Sequence, residues 1–315
     1  MPELPEVQTI VNELRKKIIG LRITDFWSDK EKPVKQAGGI AKFRKEIIGK
    51  KILSITRRAK FIVIDIEGDK SLFIHQKISG HLMYGKWVPL EVASPRSFGL
   101  APKARARLLT GWESAISGPL RDERQNQYIR YIWTFGNGYQ MAMSDVRRFS
   151  RVILVKDKNI SNLKEIRDLG PEPLEISLKQ FTDLFRSSTP KQKRGCLKQV
   201  LMDPFFIVGI GNIYSDEILW DAGYHPLSRV ENLKDADLKK IYLSLVKILN
   251  KAIAANGSSV DDYRLPSGEK GRYQDMEKAY QQTGKKCSKK DGGIIQRLKV
   301  GGRSAHFCSK HQIRR

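Results

Sequence analysis

The spacing of apolar residues changes near residue 174, and no other feature constrains the fold as much. Before that point, short runs rich in β-branched and aromatic residues dominate: Phe61–Ile66, Ser71–His75, Tyr128–Phe135, Tyr139–Met143 and Val152–Val155. Runs of this length and content read as strands. Gly136-Asn137-Gly138 between two of them reads as a hairpin turn. Beyond residue 174 the spacing is helical. Leu178, Phe181, Leu184 and Phe185 make one face, Leu197, Val200 and Leu201 another, and Leu238, Ile241, Leu245 and Ile248 a third. One helix precedes the strands: Val7, Ile10, Val11, Leu14 and Ile18 predict it over 6–19, with Pro5 suited to its first turn and Gly20 to its stop. The expected class is α+β and multidomain. A β-sandwich or barrel with one N-terminal helix spans 1–155, and 156–173 link it to a helical domain over 174–276. A β-hairpin occupies 277–315. Residues 88–125, rich in proline, serine and arginine, read as an insertion or long surface loop, and 256–276 as a mobile loop.

Charge narrows the function classes. The chain of 315 residues carries 58 basic against 34 acidic side chains, a formal +24. The excess is spread along the chain, which favours a folded, basic nucleic-acid binder; a ribosomal or membrane-surface protein would share the charge. No apolar run reaches the roughly 18 residues that a membrane span needs. The N-terminus is acidic and amphipathic, unlike a signal peptide. Three cysteines, Cys196, Cys287 and Cys308, argue against a disulfide framework and for a reducing compartment. Cys196 reads as a buried structural thiol on a helical stretch.

The chemistry-bearing residues lie at the two ends. Removal of Met1, routine before proline, gives Pro2 a free secondary amine beside the Glu3 carboxylate. An α-amino group titrates near ~8, so part of it is nucleophilic at neutral pH. Attack on a sugar or carbonyl carbon yields an iminium, an electron sink made without a buried lysine. Pro2 and Pro5 equally suit a lead-in to the helix. Gly209-Ile210-Gly211-Asn212 opens onto a helix whose N–H groups form an anion site that Asn212 can cap; an ordinary helical corner has the same pattern.

Taken together, several segments resemble the formamidopyrimidine-DNA glycosylase family of the endonuclease VIII superfamily. They are Pro2–Val7, Arg58-Ala59-Lys60, His75–Gly80, Ser144–Phe149, Leu169–Leu174, Leu201–Asp203, Gly209–Tyr214 and Gly301–Cys308. The resemblance runs nearly end to end. It implies an N-terminal β-sandwich, a helix–two-turn–helix DNA-binding domain with a lesion loop near 256–276, and a C-terminal zinc-binding hairpin. It also implies a bifunctional glycosylase/AP lyase that removes oxidised purines from double-stranded damaged DNA. Pro2 would be the Schiff-base nucleophile, Glu3 the acid/base, Lys60 an aid to β-elimination, and Arg303 a phosphate ligand linked to δ-elimination. Ile78, where the family usually has methionine, would enter the duplex with Arg147 and Phe149 to fill the gap left by a flipped base. Arg130, Arg148, Arg194 and Asn212 match phosphate-contact positions.

The family's four zinc cysteines are not all present. Lys290 and His311 stand three residues after Cys287 and Cys308, but the stretch before Arg303 is one residue longer than usual, which moves Asp291 into the second-ligand position. Cys287, Asp291, Cys308 and His311 would be a mixed tetrahedral Zn2+ site; His306 is an alternative donor, and a metal-free hairpin held by packing the alternative structure. The resemblance further implies a cytoplasmic monomer of bacterial type with no membrane partner. The competing functional readings are a catalytically silent DNA-binding homologue and a glycosylase preferring oxidised pyrimidines.

Overall fold

The computed structural model describes residues 1–29, 38–90, 111–186 and 195–315. Two compact units emerge. The first comprises Met1–Pro2, Glu6–Ser161 and Ser258–Gly271, the second Glu3–Pro5, Asn162–Gly257 and Arg272–Arg315.

Helix α1 (Leu4–Ile18) buries all five residues of its apolar stripe completely. Each such burial stabilises by about 1.5–3 kcal/mol, an upper bound because the unfolded chain is itself partly collapsed. The stripe, with Phe43 and Ile47 of helix α2 (Ile40–Ile47), packs into the core of a β-sandwich. One sheet has the order β1 (Ile23–Ser28), β8 (Ile129–Phe135), β9 (Gln140–Ser144), β5 (His81–Gly85), and the other β10 (Arg151–Lys156), β4 (Lys70–His75), β3 (Phe61–Ile66), β2 (Ile52–Arg58). All the pairs are antiparallel. Phe26, Tyr131 and Trp133 of one sheet share the core with Ile62, Ile64 and Leu72 of the other. The β8–β9 turn is the expected one, with Gly138 at positive φ and its N–H donated to Phe135 O.

The inserted stretch is rooted in the sandwich. Short strands β6 (Trp87–Pro89) and β7 (Trp112–Ser114) pair at its base; residues 91–110 lie outside the described residues. Trp87 and Leu120 pack with Met83, Ile129, Ile132 and Ala142 in a second apolar cluster. Ile132 alternates with the core residues Tyr131 and Trp133, so this cluster covers the opposite face of the β8 sheet.

Residues 258–271 complete this unit. Ser258 N–H donates to Glu6 Oε1 (2.8 Å), Tyr84 N–H to Pro266 O (2.8 Å), and Tyr263 and Leu265 enter the core. Tyr263, within the expected lesion loop, is therefore a packed side chain.

Two histidines are buried in the same unit. Burial holds His81 down to about 4, and burial reinforced by Lys77, Lys60 and Arg151 holds His75 down to about 3. Both are neutral in the folded protein at pH values where an unfolded histidine, near ~6.5, binds a proton. Stability is therefore greatest above that value and declines as pH falls towards the folded pKa values. At pH 5 the expected loss is about 2 kcal/mol per histidine. Urea midpoints at pH 7.5 and 5.0 measure it, and His81→Gln should remove roughly half of the histidine contribution. An unchanged pH dependence in that variant would mean that His81 is protonated when folded.

The second unit is helical. Helices α3 (Leu178–Arg186), α4 (Leu197–Leu201), α5 (Asn212–Ala222) and α6 (Asp235–Ala254) enclose a core of Phe181, Leu201, Ile218, Leu238, Ile241 and Leu245. Leu4 joins it, its N–H donating to Gly209 O (2.9 Å). The unit ends in the hairpin of β11 (Ile295–Val300) and β12 (Arg303–Cys308). Gly301 and Gly302 both adopt positive φ between them, as a two-residue turn matched to strand twist requires. Among the described residues, no helix is long and apolar enough to cross a membrane.

Candidate active site and metal centre

In the first unit, Pro2 is buried. Lys60 occupies the two-residue turn between β2 and β3, after Ala59 with φ 54°. The expected wedge residues sit on two loops. Ile78 lies between β4 and β5, while Arg147 and Phe149 lie between β9 and β10; Phe149 is 55% exposed. One fully buried carboxylate, Asp145, joins the loops. It accepts from Ser79 Oγ (2.5 Å), Arg147 N–H (3.2 Å) and Ser150 N–H (2.8 Å). Its own carbonyl accepts from Arg130 Nε (2.9 Å). Arg130 and Arg148 both reach Asp29 Oδ2, at 3.0 and 3.3 Å. Arg194 lies outside the described residues.

In the second unit, Glu3 answers the helix N-terminus noted in the sequence. Its carboxylate accepts N–H bonds from Gly211 (2.6 Å), Ile213 (2.9 Å) and Tyr214 (3.3 Å) at the start of α5. The expected cap fails: Asn212 is the first helical residue, makes no side-chain cap bond, and leaves Oδ1 buried without a partner. A carboxylate more than 200 residues away performs that role, because orphan N–H groups and the positive end of the helix favour an anion. Gly211 is required by close approach. A Cβ there would overlap the carboxyl carbon and Oε1 of Glu3.

Sequence reasoning missed the buried ion cluster behind α5. Lys198, fully buried, donates to Asp216 Oδ1 (2.6 Å), Ser215 Oγ (2.9 Å) and Asn212 O (3.3 Å). Burial lowers its pKa against the pull of Asp216. The other Asp216 oxygen accepts from the backbone N–H of His306 (3.0 Å) and meets its Nδ1 (2.8 Å). His306 thus lies along β12, bound to Asp216. The available signal was a lysine on the apolar Leu197–Leu201 face. Arg303 opens β12, exposed, on an open groove that Arg297 and Lys299 also line.

Cys287, Asp291, Cys308 and His311 present donor atoms that all lie within 4.8 Å of one another. Cys287 Sγ is 3.5 Å from His311 Nδ1, Cys308 Sγ 3.3 Å from Asp291 Oδ2, and His311 Nδ1 2.7 Å from that same oxygen. Zinc bonds of about 2.0–2.3 Å put tetrahedral donors about 3.3–3.8 Å apart; the two sulfur contacts lie in that range and the 2.7 Å His311–Asp291 contact would open to admit the ion, so the donor set fits zinc. His311 Nε2 lies 3.0 Å from Trp220 O. A carbonyl only accepts, so Nε2 carries a proton, the usual outer support of a histidine whose Nδ1 would turn its lone pair to a bound ion. The Gly293 N–H bond, with His311 beside it, holds the Asp291 carboxyl down to about 2. Cys196 differs from its expected placement: it is half-buried at the N-cap of α4.

Residues 1–152 match the model of the formamidopyrimidine-DNA glycosylase N-terminal domain, and residues 169–264 that of the formamidopyrimidine-DNA glycosylase H2TH domain. The formamidopyrimidine-DNA glycosylase of Pelotomaculum thermopropionicum is 31% identical over 308 residues, with 98% of each chain covered. That of Lactococcus lactis subsp. cremoris is 32% identical over 311 residues, again with 98% of each covered. Among solved structures, Lactococcus lactis Fpg in complex with DNA containing an abasic site has a TM-score of 0.76 at 29% identity, covering 98% of this chain and 99% of that one. A point mutant of the same protein with Fapy-dG DNA has a TM-score of 0.77 at 29% identity, covering 99% of both. With relatives this similar along almost all of its length, on a matching fold, the chain belongs to the formamidopyrimidine-DNA glycosylase family, DNA glycosylases of base excision repair that carry AP lyase activity.

Proposed function

We propose that this chain excises oxidised purines, 8-oxoguanine and formamidopyrimidines, from duplex DNA and then cuts the strand by β- and δ-elimination. After loss of Met1, the Pro2 amine attacks C1′ of the damaged nucleotide and displaces the base. The resulting iminium acidifies the neighbouring sugar position, so elimination proceeds without a metal. Glu3 serves as acid/base during ring opening, Lys60 assists β-elimination, and Arg303 holds phosphate for δ-elimination. Ile78, Arg147 and Phe149 fill the gap in the stack, and Arg130, Arg148, Arg194 and Asn212 bind the backbone. The observation that carries the reading is the fixed Glu3 carboxylate, held by three N–H bonds at α5 and joined directly to a buried Pro2.

The same reading assigns Cys287, Asp291, Cys308 and His311 to a structural Zn2+. The ion would crosslink the hairpin that carries Arg303 and takes no part in the reaction. The protein would act as a cytoplasmic monomer.

Borohydride trapping tests the chemistry on a duplex with 8-oxoguanine opposite cytosine, with Pro2→Gly alongside and the mature N-terminus checked by mass spectrometry. Wild type should crosslink and leave δ-elimination ends, and the variant should trap far less. Metal analysis of the same preparation should return zinc equimolar with protein. Correctly trimmed protein that binds this DNA yet never traps, even on an abasic site, would sink the catalytic reading. Trapping confined to oxidised-pyrimidine DNA would keep the chemistry and change the substrate.

A further inference from the structure

Asp29 follows the last residue of β1, and its backbone N–H donates to Arg130 O (3.1 Å). One oxygen of its carboxylate, Oδ2, receives two guanidinium groups: Arg130 Nη1 at 3.0 Å and Arg148 Nη2 at 3.3 Å. A nonbridging phosphate oxygen offers two arginines the same kind of shared acceptor. The three side chains differ in access. Arg130 is 14% exposed, Asp29 18% and Arg148 41%. Arg130 is also held from within by Asp145 O. Arg148 is tied at one end only, at φ 58° in the loop whose neighbouring residues are Arg147 and Phe149. Without the carboxylate, two cations would face each other; burial and Arg148 already lower the pKa of Arg130.

We propose that Asp29 is an internal competitor for DNA phosphate, which holds Arg148 inward in the free protein and gives it up to the backbone on binding. The proposal rests on the duplex-DNA reading above. Arg148 is the half-exposed partner, and ion pairs at that exposure are weak enough to exchange. Asp29 restrains unproductive binding, because a phosphate must displace it before Arg148 contributes. The local charge the duplex meets is then +1 from two arginines, not +2.

The test is a salt titration of binding to an undamaged fluorescent duplex by full-length wild type, Asp29→Asn, Arg148→Gln and the double variant. The asparagine keeps shape and removes charge. Asp29→Asn should bind about 3–10-fold more tightly at low salt while log K against log salt keeps its slope, because Arg148 neutralises the same phosphate in both complexes. In the Arg148→Gln background the same substitution should change affinity less than about twofold. Unchanged affinity in Asp29→Asn would overturn the proposal, as would weaker binding or an increase that persists without Arg148. If Asp29→Asn fails to fold, Arg148→Gln alone decides: a slope shallower by about 1 supports exchange, and an unchanged slope rejects it. A wild type that shows no salt-dependent duplex binding would defeat the underlying DNA reading instead.

Discussion

Gly211→Ala is expected to slow base release about 100-fold while leaving the fold in place, the scale on which a misplacement near 1 Å acts. Nothing reactive is removed. The Gly211 φ of −133° is open to any residue, so the backbone carries no new strain. The added methyl would instead occupy the space of the Glu3 carboxyl group. That group must swing away, and its three N–H bonds from Gly211, Ile213 and Tyr214 lengthen or break. Glu3→Gln should be more damaging, about 10²–10⁴-fold, because it removes the proton-transferring group itself. Single-turnover kinetics on 8-oxoguanine duplex, with affinity for an abasic-site analogue measured in parallel, separates chemistry from binding. A Gly211→Ala enzyme within twofold of wild type would show that the position of Glu3 does not limit the reaction.

The second large effect concerns stability. Lys198→Met should cost about 3–5 kcal/mol, the range for breaking one side of a buried ion pair. Methionine fills similar space, so the loss comes from stranding Asp216, which has no exposure and then keeps only its His306 contacts. Asp216→Asn should be costly for the converse reason. The double variant should lose much less than the sum, since no uncompensated charge remains. Urea unfolding of the four proteins gives the coupling directly. Additive losses would mean that Lys198 and Asp216 are not a unit, despite their 2.6 Å contact.

What was legible in the sequence follows from how local each signal is. The stripe of α1 and the faces of α3 and α6 are short-range patterns; those of α1 and α6 are buried throughout, and that of α3 at Phe181 and Phe185, with Leu178 and Leu184 half-buried. Strands β3 and β4 were equally readable as apolar runs. Strands β1 and β2 were not. Each opens with a shift in register, between Ile23 and Asp25 and between Ile52 and Ser54, and a bulge interrupts the two-residue alternation on which recognition depends. The expected 256–276 loop is divided between the units, because Tyr263 and Leu265 find a core whose other members lie more than a hundred residues earlier.

The site shows the same limit. Asp291 was singled out by counting back from Arg303 against the family's usual spacing, and its oxygen lies near the donor atoms of Cys287, Cys308 and His311. Asn212 was assigned a cap because it sits where caps sit; the carboxylate that caps instead comes from residue 3. Asp29 and Asp145 acquire their meaning from partners 66 to 119 positions away, and no local pattern announces them; the one local hint of Lys198 is a lysine on an apolar helix face, and its partner is not on that helix.

The way the chain divides between its units has a consequence for synthesis. A ribosome that has released the first 161 residues has made nearly all of the sandwich, but not Ser258–Gly271. Until that piece emerges, Glu6 lacks the N–H of Ser258, and the core lacks Tyr263 and Leu265. The second unit needs only three early residues, Glu3–Pro5, which are already waiting. The half made first therefore waits for a piece synthesised about a hundred residues after the rest of it. Contacts across some 250 residues form slowly, and an unfinished sandwich exposes apolar surface meanwhile. A nascent chain stalled before residue 258 should be sensitive to protease in its leading half, and one stalled after 271 should be protected.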